Sequence, residues 1–146
     1  MRKTITWVLG MAGTHWGWMD DAENDLKVAK QTLGIKGGYN WTCFQAQQAA
    51  EKAVKAALIG VGERPITHSI KDLLTRLSEK TGEDFKHLTS YAERLDLHYV
   101  PPRYPNAHGG RATYQLYGKG IALEAVECAE KIVTHMKKFL TKSKPR

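Results

Sequence analysis

The loop over residues 101–110 holds the side chains of this chain that are best suited to chemistry. It reads PPRYPNAHGG and places Arg103 and His108 with four residues between them. An arginine offers a planar, permanently charged fork that matches phosphate oxygens, and a histidine takes up or releases a proton near neutral pH. Together they suffice in principle for metal-independent cleavage of RNA, because the arginine would stabilise the charge that develops on phosphorus. The first hypothesis for this loop is therefore phosphate chemistry.

Six further residues are candidates for orienting this pair or for binding a nucleotide: Tyr104, Tyr99, Asp96, Lys52, Lys55 and Asp25. The tyrosines and Asp96 would orient the pair or stack on a base. The two lysines would help the arginine to hold phosphate, and Asp25 would orient a basic residue of the loop. A structural alternative instead ties Arg103 to Asp25, Asp96 or Glu51.

Other chemistries find little support in the sequence. There is no phosphate-loop motif, no two-cysteine zinc spacing and no nucleophile elbow. The histidines and carboxylates do not cluster, so we expect neither a metal nor a cofactor. Cys43 and Cys128 lie in alanine-rich helical patterns, and we expect reduced, buried thiols of a cytoplasmic protein, with a disulfide between facing helices as the less favoured alternative.

The elements that position the loop are predicted to be helices. Apolar residues at three- and four-residue spacing, bounded by glycine and proline, predict helices at about 16–33, 41–59, 70–80, 84–99 and 120–142. Short connections and no strand pattern then predict an all-α fold, an antiparallel up-and-down bundle of four to five helices.

Several polar residues have predicted places on these helices. Asn40 and Ser69 are predicted helix caps, the latter paired with Asp72. His68 is expected to bond the backbone. The stripe of Gln45, Gln48, Lys52 and Lys55 is expected to face solvent. The stripe of His87, Tyr91, Arg94 and His98 is the expected surface of a homodimer.

The chain divides into three parts. Residues 1–14 form an N-terminal extension that is too short to cross a membrane, residues 15–142 form the helical bundle, and residues 143–146 form a basic tail. The net charge of +7 suits an anionic partner, although part of it is a lysine cluster at the C-terminus.

Four strings resemble the HEPN superfamily and occur in that family's order. They are AENDLKVAKQTL, CFQAQQAAEKAVKAALIGVG, HSIKDLL and YAERLDLHYVPPRYPNA, and they fit the RYP-bearing branch of small prokaryotic and archaeal members. The resemblance, over about residues 16–140, implies a small helical bundle that dimerises through the helices bearing the motif. It further implies RNA cleavage through an Arg-x4-6-His motif, which Arg103 and His108 fit, and frequent pairing with a small nucleotidyltransferase.

Two functions from different classes follow. In the first, the protein is a toxin-like, metal-independent endoribonuclease that works as a dimer with Arg103 and His108 as its catalytic residues. In the second, it is a non-catalytic nucleotide- or RNA-binding partner of a small nucleotidyltransferase. The second alternative gains from the setting of the motif, because His108 is followed by two glycines and the motif lies among prolines rather than in a helix.

Overall fold

The computed structural model describes residues 13–142, and within this range the chain forms helices and loops without a β-strand. There are five α-helices, α1 (His15–Thr32), α2 (Tyr39–Gly60), α3 (Ile70–Thr81), α4 (Thr89–Asp96) and α5 (Lys119–Lys142). Three short 3₁₀ turns occur at Lys86–Leu88, Pro105–His108 and Thr113–Leu116. The all-α bundle is therefore confirmed, whereas nearly all of the predicted extension and the whole basic tail lie outside the described residues.

Helix α2 is the central element of the bundle. It packs against α1, α3, α4 and α5, and most of its residues are buried. The reason is its alanine content, because Ala46, Ala50, Ala53 and Ala57 are fully buried and let neighbouring helices approach closely. Any polar residue on α2 is consequently held on a rigid, mostly buried helix.

The other predicted core faces agree well with the structure. The apolar residues at helical spacing are buried in α3, where they are Ile70, Leu73, Leu74 and Leu77. The same holds for α5, whose buried residues include Ala122, Ala125, Val126, Ala129, Ile132, Val133, Met136, Phe139 and Leu140. Cys43 and Cys128 are free and buried, and burial raises the pKa of the Cys43 thiol to about 12. Within residues 13–142, no helix is both long and apolar enough to span a membrane.

Helix α4 ends earlier than predicted. It stops at Asp96, and the chain turns through a hydrogen bond from the His98 amide to the Leu95 carbonyl at 2.8 Å. Pro101 and Pro102 keep the helix from resuming after this turn, because Pro101 disfavours the helical conformation at Val100 and neither proline can donate an amide hydrogen. His98 is therefore released from the helix face and is only 8% exposed. Its predicted place on an outward stripe is wrong.

The two predicted caps have different outcomes. Ser69 caps α3 as predicted, since its hydroxyl accepts a hydrogen bond from the Asp72 amide at 3.2 Å. Asn40 does not cap α2, because Gly38 occupies the cap position and Asn40 lies inside the first turn. There Asn40 is buried, and its Nδ2 donates to the Pro102 carbonyl at 2.9 Å. The first turn of α2 thus attaches directly to the proline loop.

Candidate functional site

Side-chain hydrogen bonds to backbone carbonyls fix the proline loop. Besides the bond from Asn40 to Pro102, the Arg103 Nε donates to the Tyr99 carbonyl at 2.7 Å. His108 Nε2 lies 2.6 Å from the Pro101 carbonyl, and because a carbonyl only accepts, this nitrogen carries the proton. The loop therefore has a defined shape on the surface of α2.

The Arg103 guanidinium lies against three aromatic rings. Its central carbon is 4.5 Å from the ring centroid of Phe44, 4.6 Å from that of Tyr99 and 5.3 Å from that of Tyr104. Such contacts stabilise the cation through the ring faces and leave its edges available for oxygen acceptors. Among the described residues, no carboxylate lies within ion-pair distance of Arg103.

The carboxylates proposed to hold Arg103 have other partners. Asp25 pairs with Lys52 at 2.9 Å, which joins α1 to α2. Asp96 caps α3 from outside, because its Oδ1 accepts from the Ile70 amide at 2.7 Å and its Oδ2 accepts from the Ser69 hydroxyl. Burial raises the pKa of Asp96, and these hydrogen bonds act in the opposite direction. Asp25 and Asp96 therefore join helices to one another, and neither orients the loop arginine.

Glu51 is the centre of a buried polar network that was not predicted. Its side chain is 5% exposed and lies 2.9 Å from Lys55 Nζ and 3.1 Å from His68 Nδ1. Gln47 Nε2 donates to the same carboxylate at 3.0 Å. A buried carboxylate surrounded by donors in this way is held in one orientation. Lys55, expected to face solvent, is only 8% exposed and lies 5.9 Å from the ring centroid of Trp18.

His68 connects this network to Arg103. Its side chain is 57% exposed, and its ring stacks on Tyr99 with centroids 4.5 Å apart and an angle of 18° between the planes. The expectation that this imidazole bonds the backbone is wrong, because its Nδ1 bonds the Glu51 carboxylate. We name Arg103, Phe44, Tyr99, Tyr104 and His68 the Arg103 cluster.

The sequence does contain a signal for the part of the site on α2. Phe44, Gln47, Glu51 and Lys55 are three, four and four residues apart, so they share one helix face. Here a glutamate is flanked at four-residue spacing by glutamine and lysine on a helix whose six alanines pack it closely against its neighbours. This pattern could have indicated a buried polar network.

His108 lies in different surroundings from Arg103. Its ring packs edge-on against Tyr117 at 5.9 Å, and Tyr117 in turn lies 6.3 Å from His98. Gly109 and Gly110, at φ of 65° and 84°, turn the chain so that the Gly110 amide bonds the Pro105 carbonyl. No hydrogen bond within residues 13–142 joins His108 to Arg103.

The structure thus brings together only part of the predicted site. Arg103, Tyr99 and Tyr104 form one cluster, whereas His108, Asp96, Asp25, Lys52 and Lys55 engage other partners. Among the described residues, no group of three or more histidine, cysteine or acidic side chains could hold a metal ion. A groove of about 620 Å³ between α1 and α5, lined by Leu26, Val133 and several lysines, does not include Arg103.

The chain is similar over most of its length to proteins of one family. The family model described as HEPN domain matches residues 15–139. A protein of Methanocaldococcus jannaschii, named "Putative toxin MJ1304", is 33% identical over 127 residues, which are 82% of this chain and 83% of that protein.

Crystal structures of similar proteins agree in fold. TT1696 from Thermus thermophilus has a TM-score of 0.80 and 36% identity, over 86% of this chain and 97% of its own. ST0689, described as an archaeal HEPN homologue, has a TM-score of 0.71 and 35% identity over 86% and 97%. The HEPN domain protein tm0613 from Thermotoga maritima has a TM-score of 0.65 and 34% identity over 86% and 98%. Because the family model and these relatives cover most of the chain, this protein belongs to the HEPN family.

Proposed function

We propose that the Arg103 cluster binds the phosphate and bases of single-stranded RNA, and that the protein is a toxin-like HEPN protein. The observation that carries this proposal is the Arg103 guanidinium, which contacts three aromatic rings and no carboxylate of the described chain. An arginine paired with a carboxylate would have its charge neutralised. This one keeps its charge for a phosphate.

The surroundings of Arg103 suit bases as well as phosphate. Tyr104 is 50% exposed, and Trp41, which is 47% exposed, lies edge-on to Phe44 at 6.3 Å. Aromatic faces beside an arginine form a platform on which unpaired bases stack, typically with about 1–3 kcal/mol per base. The net charge of +7 favours the approach of an anionic strand.

The relatives support the toxin-like part of the proposal. The similarity to the M. jannaschii protein named "Putative toxin MJ1304" supports a toxin-like role. RNA in the cytoplasm is the target that the Arg103 cluster fits best. The alternative is a nucleotide- or RNA-binding partner of a small nucleotidyltransferase, and it uses the same cluster. An assay of RNA cleavage with the protein alone and with that enzyme added separates the two functions.

We also propose that the protein is a homodimer that pairs through the outward side of α4 and of the residues on either side of this helix, from His87 to Val100. With His98 buried, the predicted surface keeps His87, Tyr91 and Arg94, and the structure adds Leu97, which is 69% exposed, and Val100, which is 45% exposed. Exposed apolar residues beside polar ones are typical of an interface between like chains. Light scattering at micromolar concentration should show twice the chain mass for the wild type and a single chain mass for Leu97→Glu.

Binding of a labelled 12-nucleotide RNA in excess chelator, followed by fluorescence anisotropy, tests the proposed site. Arg103→Ala should weaken binding by about tenfold or more, the typical effect of losing a charge-assisted pair. Arg111→Ala is the matched control, because it removes the same charge from the residue that follows the loop, where the described structure has no arginine–ring contact. We expect less than about a threefold change from one long-range charge. Equal losses in the two variants would show general electrostatic attraction and would contradict a site at Arg103.

A further inference from the structure

We propose that His68, oriented by Glu51, is the acid–base catalyst for metal-independent cleavage of single-stranded RNA bound at the Arg103 cluster. The inference rests on the proposed function, because it needs RNA to be held by Arg103. It assigns proton transfer to a histidine outside the loop motif. His108, whose Nε2 is bonded to the Pro101 carbonyl, becomes a residue that shapes the loop.

The pairing of His68 with Glu51 sets the tautomer of the imidazole. Its Nδ1 lies 3.1 Å and 3.3 Å from the two carboxylate oxygens. An ionised carboxylate only accepts hydrogen bonds, so Nδ1 carries the proton and the lone pair of the neutral ring lies on Nε2. A carboxylate that fixes the tautomer and stabilises the protonated ring is the arrangement that acid–base histidines use.

Glu51 is suited to hold this orientation because it is itself fixed. The carboxylate is buried on α2 and receives the Lys55 ammonium at 2.9 Å and the Gln47 amide at 3.0 Å. Gln47 also donates to the His68 carbonyl at 3.4 Å, so one helix holds both the ring and the backbone of His68. Yet the His68 side chain remains 57% exposed, so a substrate can reach it.

His68 and Arg103 contact the same aromatic ring. The imidazole centroid is 4.5 Å from the Tyr99 centroid, and the Arg103 guanidinium carbon is 4.6 Å from the same point. The two groups are therefore no more than about 9 Å apart, so one bound strand can contact both. In the proposed complex the phosphate lies at the guanidinium and the adjoining ribose at the imidazole, so cleavage takes place within a single complex.

The reaction is an internal transfer that needs no co-reactant. The ribose 2′-oxygen attacks phosphorus and forms a new P–O bond, while His68 Nε2 takes the 2′-hydroxyl proton. The bond from phosphorus to the 5′-oxygen breaks, and the protonated His68 returns that proton to the departing oxygen. Arg103 stabilises the added negative charge on phosphorus. The products are a 2′,3′-cyclic phosphate and a free 5′-hydroxyl, with one proton moved and none gained or lost.

The test uses a DNA strand with one central ribonucleotide, because only that linkage has the attacking hydroxyl. The full-length protein is incubated with it in excess chelator, products are identified by mass spectrometry, and binding is measured on the all-DNA strand. Two variants remove the base in different ways. His68→Asn keeps a donor for Glu51, and His68→Phe keeps the ring on Tyr99. Each should lower the cleavage rate by at least about 100-fold while strand affinity changes less than about threefold.

Two further variants separate positioning from catalysis. His108→Gln keeps a donor toward the Pro101 carbonyl, so its cleavage rate should stay within about threefold of the wild type. Glu51→Gln should lower kcat and leave KM within about threefold, because an amide can also donate to Nδ1 and then no longer selects the tautomer with its lone pair on Nε2. A folded Glu51→Gln variant whose kcat stays within about threefold of the wild type, or whose loss lies in KM alone, would contradict the assigned role of Glu51.

The remaining outcomes are distinct. Wild-type protein that binds the strand through Arg103 but leaves it intact would overturn this inference and leave the proposed binding site standing. Protein that does not bind would overturn both proposals. Cleavage that survives both His68 variants but is lost in His108→Gln would assign the reaction to the loop histidine and contradict the inference.

Discussion

Arg103 and His108 belong to one short loop, but the two side chains lie in contrasting surroundings. Arg103 contacts three aromatic rings, one of which also stacks on the exposed His68, and its charge is unpaired among the described residues. His108 is bonded to a backbone carbonyl and packed against Tyr117. The two residues are close in sequence, but they lie in different parts of the loop. We call the part around Arg103 the binding side and the part around His108 the holding side.

This contrast shows that two residues of a short sequence motif need not contact each other or share a function in the folded protein. The proline-imposed turn directs Arg103 toward Phe44 on α2, and the paired glycines turn His108 back toward Pro101. A histidine from a different segment, His68, is then the one that shares an aromatic neighbour with Arg103.

The largest expected effect is on the free energy of unfolding and comes from Glu51, the α2 residue that bonds His68 of the Arg103 cluster. Glu51→Ala leaves the buried Lys55 ammonium without its partner, and we expect the free energy of unfolding to fall by about 3–5 kcal/mol. Urea unfolding followed by circular dichroism measures this. Glu51→Gln retains an acceptor for the lysine and should cost clearly less. If both substitutions cost the same, the ion pair is not the source of the stability.

A direct comparison of the two loop residues should separate stability from binding. Each alanine variant should lower the free energy of unfolding by about 1–2 kcal/mol, because Arg103→Ala leaves the Tyr99 carbonyl without its donor and His108→Ala does the same to the Pro101 carbonyl. Affinity for the 12-nucleotide RNA should fall by about tenfold in Arg103→Ala and by clearly less in His108→Ala, and His108→Gln should restore part of the lost stability. Urea unfolding and fluorescence anisotropy measure the two quantities. A greater loss of RNA affinity from His108→Ala than from Arg103→Ala would reverse the assignment of the two sides.

The smallest expected effect is a change in the pH dependence of stability. It comes from His98, whose ring neighbour Tyr117 also contacts His108. Burial lowers the pKa of His98, and its Nδ1 has no hydrogen-bond partner among the described residues. The unfolded chain therefore binds this proton more readily, so stability is full above the ordinary pKa of 6.5 and falls as the pH drops below it toward the native pKa.

His98→Phe removes both the titration and the unpaired nitrogen. Stability at pH 8 should rise by up to about 1 kcal/mol, and the loss between pH 8 and pH 5.5 should become smaller. Burial also lowers the pKa of His135 and His15, so a residual pH dependence should remain. An unchanged difference between the two pH values would exclude His98 as a contributor.

Periodicity predicted the helices of this fold well because burial requires an apolar face at helical spacing. The end of α4 was missed because residues at helical spacing, Leu95 and Tyr99, continue past the last helical residue, Asp96. The Arg103 cluster was predicted only in part. Arg103, Tyr99 and Tyr104 are close in sequence, whereas Phe44 and His68 reach them only through the packing of α2 and the segment before α3.

The hydrogen bonds to the carbonyls of Pro101 and Pro102 have a consequence for affinity. Prolines have few backbone conformations, and Asn40 and His108 fasten this pair from two directions. The conformational entropy that a flexible loop would lose on binding a strand is therefore already lost when the protein folds. A preorganised loop of this kind needs fewer contacts for a given affinity, so a small site around one arginine suffices.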